Sequence, residues 1–156
     1  MSRMYRANAL AFGVLLGPCS GAGANDFSIE LKVQSGGREQ TADSGQSAPP
    51  AFTAKVKEVV WVQWSAVNGA TGTSLSDITL HVFMDRGDTR VAAPKPGPKA
   101  LYESALIQDF EAGVKSSGEF RMQMPEAGPY FVRVETIGAA KKLGKEVTAA
   151  MQVSVP

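Results

Sequence analysis

The chain has 156 residues, and its 16 basic residues nearly balance its 15 acidic residues. This length favours a single domain, and a net charge of +1 gives no electrostatic attraction to nucleic acid or to acidic membranes. The single cysteine and single histidine exclude a disulfide framework within the chain. They also exclude a blue-copper site, which needs two histidines and a cysteine.

The N-terminus has the three parts of a secretory signal peptide in the expected order. Arg3 and Arg6 form a positive region, residues 7–16 form an apolar run, and residues 22–24 are small, as a signal peptidase requires. The apolar run is shorter than the roughly 20 residues that span a bilayer. We therefore predict a signal peptide over residues 1–24 and export to the periplasm or the cell surface, with no transmembrane segment in the mature chain.

Cys19 raises an alternative, because Leu16 lies three residues before it, as in a bacterial lipobox. Lipidation would make Cys19 the acylated first residue and tether the domain to a membrane. Pro18 stands where a lipobox has a small flexible residue, so the sequence favours cleavage after Ala24.

The predicted mature domain, residues 25–156, has 132 residues, of which 14 are basic and 15 acidic, giving a net charge of −1. It has no cysteine, and therefore no thiolate nucleophile or cysteine metal ligand. A domain of this size buries most of its apolar surface without disulfides.

Apolar and polar residues alternate at the start of the mature chain, which is typical of half-buried strands. Residues 27–33 form the first predicted strand. Residues 35–50 are rich in Gly, Ser and Gln and end in two prolines, so they are predicted to form a flexible loop or linker. Residues 52–56 follow as a short edge strand, flanked by lysines that discourage further pairing.

Residues 59–66 are predicted to form a central strand whose inward face carries Val60, Val62, Trp64 and Ala66. Residues 78–85 alternate in the same way and form the next strand. Residues 92–99 contain three prolines and are predicted to be extended and unpaired.

The C-terminal third continues the strand pattern. Residues 101–110 are the least clear segment, but the flanking turn residues favour a strand over a helical turn. Residues 118–124 and 130–137 alternate around a Pro-Glu-Ala-Gly turn and are predicted to form a hairpin. A basic turn and a last strand, residues 146–155, complete the chain.

Seven or eight strands and no long amphipathic helix predict an all-β fold, a single antiparallel immunoglobulin-like β-sandwich. The run from Val60 to Asn68, followed by the run from Leu75 to Phe83, resembles the cell-adhesion-related domains of bacteria known as CARDB domains. The corner from Pro125 to Tyr130 is similar to the end of such domains. The resemblance covers residues 56–155 and implies a surface compartment and a binding or spacer role, with no catalytic residue.

The residues give little support to catalysis or metal binding. His81 is the only histidine, and the chain has neither a Gly-x-Ser-x-Gly motif nor a phosphate-binding glycine loop, so we assign no catalytic residue and no cofactor. A copper carrier using His81 and the thioethers of Met84, Met122 and Met124 is a weaker alternative, because Met84 falls on the opposite strand face from His81.

The sequence instead favours a non-enzymatic interaction or structural module of the bacterial cell envelope. Its candidate binding surface comprises Trp61, Val59, Phe83 and His81, which alternation places away from the core. The opposite register, with Trp61 buried and Trp64 exposed, is left open by the pattern. The expected partner is another cell-envelope protein, and a polysaccharide bound through an exposed tryptophan is the alternative.

Overall fold

A computed structural model describes residues 26–88 and 100–156 as two packed β-sheets, which confirms the predicted all-β sandwich. The predicted signal peptide, Cys19 and the predicted proline-rich segment, residues 92–99, lie outside the described residues. The described strands are β1 Phe27–Ser35, β2 Arg38–Asp43, β3 Ala51–Thr53, β4 Val59–Asn68, β5 Leu75–Arg86, β6 Tyr102–Phe110, β7 Lys115–Gln123, β8 Gly128–Ile137 and β9 Thr148–Val155. One short helix, α1 Ala140–Leu143, precedes β9, and no described helix is long and apolar enough to cross a bilayer.

The strands divide into a four-stranded sheet, in the order β2-β1-β4-β7, and a five-stranded sheet, in the order β3-β9-β8-β5-β6. Every pair is antiparallel except β3 and β9, which run parallel. The predicted antiparallel arrangement holds at every described pair except this one. The chain crosses from β2 in one sheet to β3 in the other before it returns to β4, and this crossing sets the direction of the three-residue β3.

The core lies between the sheets and follows the predicted alternation. Val60, Val62, Trp64 and Ala66 of β4 are all buried, which confirms their inward prediction. Trp64 is only 7% exposed, so the register that would expose it is wrong. Strand β4 is central, between β1 and β7, also as predicted.

The prediction of a loop over residues 35–50 is wrong for β2. Strand β2 pairs with β1 through a two-residue turn, Gly36-Gly37, in which both glycines have positive φ. Such φ values match the turns that join tightly paired strands. Apolar and polar residues do not alternate here, because Ala42 is the only buried residue of this edge strand.

The predicted strand over residues 101–110 is confirmed as β6, but the predicted hairpin that follows is wrong. Strand β7 pairs with β4, whereas β8 lies between β5 and β9 in the other sheet. The turn between β7 and β8 therefore carries the chain across the core. The hydroxyl of the buried Tyr130 donates a hydrogen bond to the Glu126 carbonyl at 2.8 Å, and this bond stabilises the corner.

The contact between Trp64 and Gly118 fixes β4 against β7, where the two residues are direct cross-strand neighbours. A Cβ atom added to Gly118 would lie 2.6 Å from Cζ2 of the Trp64 indole. We expect Gly118→Ala to lower the free energy of unfolding by about 1–3 kcal/mol, because the bulky ring or the strand must shift. Urea unfolding measures this loss.

Ser117→Ala, at the exposed neighbouring position, is the control and should change the stability by less than about 0.5 kcal/mol. In a Trp64→Phe background the smaller ring leaves more room, so the cost of Gly118→Ala should fall. An equal cost in both backgrounds would contradict the assigned contact.

Candidate functional site

The four residues of the predicted binding surface do not form one surface. Trp61 and Val59 lie on the outer face of the four-stranded sheet, whereas His81 and Phe83 lie on the outer face of the five-stranded sheet. The core separates the two pairs. Phe83 is fully buried and His81 is 8% exposed, so these two are not available as a contact surface.

Trp61 lies in an open groove of about 510 Å³ at one end of the four-stranded sheet. Its direct cross-strand neighbours are Gln34 on β1 and Arg121 on β7. The β1–β2 turn, residues 34–39, forms one wall of the groove, and Val59 lies at its rim with 51% of its surface exposed. The groove therefore combines an aromatic floor, an exposed apolar residue and charged side chains.

The indole of Trp61 is half-buried, and its ring face and its N–H group have different surroundings. The guanidinium carbon of Arg121 lies 4.9 Å from the centre of the ring, which is a cation–π distance. The indole N–H is inaccessible and has no hydrogen-bond acceptor among the described residues. Buried indole N–H groups usually have a partner, so this donor is a feature that the fold alone does not explain.

The wall of the groove is held by Arg38 and Glu58. Nη2 of Arg38 donates to both carboxylate oxygens of Glu58, at 2.9 and 3.0 Å, and Nη1 donates to the Thr53 carbonyl at 2.6 Å. The hydroxyl of Ser35 donates to the Val59 carbonyl at 2.7 Å. These bonds tie the β1–β2 turn to the segment before β4, so the groove is shaped before anything binds.

His81 occupies a different environment on the opposite side of the molecule. Its Nε2 lies 2.8 Å from a Glu103 oxygen and its Nδ1 lies 3.5 Å from a Glu135 oxygen. Glu135 is also 3.2 Å from Nε of Arg133. The His81 ring lies 4.7 Å from that of Phe83, which fits a packed outer layer.

The residues of the copper alternative are also separated. Met84 is buried in the core between the sheets, whereas His81 lies on the other face of β5. Met124 is buried in the same core as Met84. Among the described residues, no group of three or more His, Cys, Asp and Glu side chains is placed to hold a metal ion.

Sequence reasoning found Trp61 and Val59 but missed Gln34, Arg38, Glu58 and Arg121. Gln34, Arg38 and Arg121 line the groove through strand pairing and through the β1–β2 turn. Glu58 supports the groove through its hydrogen bonds with Arg38. The outward position of Arg121 on β7 could be read from the alternation. Its position beside Trp61 depends on the register between β4 and β7, which one strand's pattern does not contain.

No protein-family model matches the chain, and no curated protein matches it. Among solved structures, the chain is similar to a β-glucosidase from Listeria innocua, solved in complex with glucose. The identity is 14%, the match covers 81% of this chain and 16% of that chain, and the TM-score is 0.30. At this TM-score the match establishes neither a common fold nor a shared activity.

The Arg38–Glu58 pair predicts a pH dependence of stability. The backbone N–H of Lys55, and then the Arg38 guanidinium, hold the pKa of Glu58 below its ordinary value of 4.5. A carboxyl whose pKa is lowered by folding stabilises the fold above its unfolded-state pKa. That contribution is lost as the pH falls through the lowered folded-state pKa.

We therefore expect Glu58→Gln to be less stable than the wild type by about 1 kcal/mol at pH 7. The difference should shrink as the pH is lowered from 5 toward 3, where the wild type loses its charge. Urea unfolding across this pH range measures the effect, and Glu111→Gln in an exposed turn is the control. A difference that stays constant with pH would show that the Glu58 charge does not contribute.

Proposed function

We propose that this domain is a non-enzymatic protein-binding module of the bacterial cell envelope, and that it contacts its partner through the Trp61 groove. The observation that carries the proposal is the Trp61 indole, half-buried in an open groove beside the exposed Val59. Tryptophan and arginine are the residues most enriched among those that dominate binding energy at protein interfaces.

The pre-shaped wall of the groove supports this proposal. Arg38 and Glu58 hold the β1–β2 turn in place, so the turn would lose little conformational entropy on binding. Val59 supplies exposed apolar surface beside Trp61, while the charged side chains of the turn form a polar rim. An apolar centre with a polar rim is the usual organisation of a protein interface.

A polysaccharide is the second candidate ligand, because an exposed tryptophan can stack on a sugar ring. Arg121 lies over the Trp61 ring at 4.9 Å and competes for that face. The groove therefore favours a protein over a glycan. The assignment to the cell envelope rests on the signal-peptide pattern of residues 1–24 and on the resemblance to CARDB domains.

The test is an affinity capture from the native cell envelope with the tagged protein, in which the retained molecules are identified by mass spectrometry. Trp61→Ala should weaken retention of a specific protein at least about 30-fold, as expected for an anchoring residue. Ile107→Ala is the matched control, because Ile107 is 72% exposed but lies on the opposite sheet. Thermal unfolding of both variants checks that each is folded.

Equal retention by the wild type and by Trp61→Ala would exclude the groove as the contact surface. Retention of polysaccharide in place of protein, lost on Trp61→Ala, would move the assignment to a glycan-binding module.

A further inference from the structure

Strand β7 forms a long edge of the four-stranded sheet. All nine of its residues pair with β4, and within residues 26–88 and 100–156 it pairs with no other strand. Its outward side chains are exposed and come in the order Lys115, Ser117, Glu119, Arg121 and Gln123. An unpaired edge of this length is a template for another strand unless its charges prevent pairing.

The hydrogen bonds at the end of β7 show which backbone groups point away from β4. The N–H of Met124 donates to the Glu58 carbonyl at 2.9 Å, and the Met124 carbonyl accepts from the Lys57 N–H at 2.8 Å. The N–H and C=O of a strand residue point to the same side, and successive residues alternate. The even-numbered residues of β7 therefore bond toward β4. The odd-numbered residues from 115 to 123 direct their backbone groups to the free edge.

We propose that a second copy of this chain pairs with β7, antiparallel, about a twofold axis that passes beside Phe120. In this register Glu119 lies opposite Arg121 of the second copy, and Arg121 lies opposite its Glu119. Ser117 and Gln123 face each other in the same way. The pairs that exchange backbone hydrogen bonds in this register are odd-numbered, so the backbone groups that would pair are those already directed to the free edge.

Charge selects this register over its neighbours. An axis beside Glu119 or Arg121 places like charges opposite each other, and an axis beside Gly118 places Lys115 opposite Arg121. An axis beside Ser117 also opposes Lys115 to Glu119, but it pairs five strand residues where the axis beside Phe120 pairs seven. Opposite charges directly across antiparallel strands stabilise the pair, and like charges destabilise it.

The axis position also brings aromatic rings together. Phe120 would meet Phe120 of the second copy at a non-hydrogen-bonded position, where facing side chains are closest. Its ring already stacks on Tyr102 at 3.8 Å, where the two sheets meet at this edge. Aromatic pairs at such positions are favourable. The centre of the proposed interface is therefore apolar, and its flanks are charged.

The other described edges fit a second copy less well. The only charged residues of β6 are Glu103 and Asp109, so its self-pairing offers no attraction between opposite charges. Strand β3 has three residues. On β2, Arg38 is bonded to Glu58 and Glu39 accepts from Gln34, so these charges already have partners.

The dimer would join the two four-stranded sheets into one of eight strands, with both Trp61 grooves on the same side. A partner with two copies of its own contact segment would then bind more tightly than either groove alone provides. The dimer itself does not depend on the proposed function, because β7 can pair whether or not the groove binds a partner.

The test is sedimentation equilibrium on the purified protein over a range of concentrations. The wild type should dimerise. Arg121→Glu and Glu119→Arg should each weaken dimerisation at least about tenfold, because each places like charges opposite one another. The variant that carries both changes restores the opposite charges and should dimerise within about threefold of the wild type. Lys115→Glu lies outside the pairing window and is the control.

Ser117→Pro provides an independent test. Proline removes an N–H that points to the free edge and leaves the bonds to β4, so the monomer should stay folded while the dimer is lost. Circular dichroism checks the fold of this variant. The proposal is overturned by a wild type that stays monomeric up to about 1 mM, by a double variant as weak as the single variants, or by a folded Ser117→Pro protein that still dimerises. These readouts use only molecular mass, so they are independent of groove binding.

Discussion

Trp64 packs its indole over Gly118, and the outer surface of the four-stranded sheet depends on this contact. Only a residue without a side chain leaves room for the ring, since a Cβ at position 118 would come within 2.6 Å of it. Because side chains alternate along a strand, a slip of one residue would turn every side chain of β4 to the other face. The Trp64–Gly118 contact therefore opposes such a slip and fixes which residues reach the solvent.

The same register creates the groove on the outer face. Three residues before Trp64, alternation turns Trp61 outward and places it opposite Arg121. Met124 bonds toward β4, so Arg121 lies at a non-hydrogen-bonded position, where side chains across an antiparallel pair are closest. This closeness accounts for the 4.9 Å contact between the guanidinium group and the indole. The buried Trp64–Gly118 contact thus positions the Trp61–Arg121 contact on the outer face.

The alternation of apolar and polar residues predicted the strands that bury one face and expose the other. It did not predict elements that lack this pattern. Strands β1, β4 and β5 were found because their inward residues are apolar at every second position. Strand β2 was missed because a single buried alanine leaves no alternation. The β7–β8 hairpin was wrong because a turn motif indicates that the chain reverses, without indicating whether the next strand joins the same sheet. Within the site, Trp61 and Val59 could be predicted, whereas Arg121, Gln34 and Arg38 required knowledge of register and of the turn.

His81 and Phe83 illustrate a further limit of alternation. The pattern placed them outward, and they do point away from the core, yet both are buried. Phe131 packs edge-on against Phe83 at 5.7 Å, so the outer face of the five-stranded sheet carries its own aromatic contacts. On that face His81 contacts Glu103 and Glu135, and Glu135 is also 3.2 Å from Nε of Arg133. The outer face of the four-stranded sheet instead leaves Val59 51% exposed beside the half-buried Trp61, and the free edge of β7 carries both signs of charge. This difference is the physical reason for placing the proposed contact surface on the four-stranded sheet.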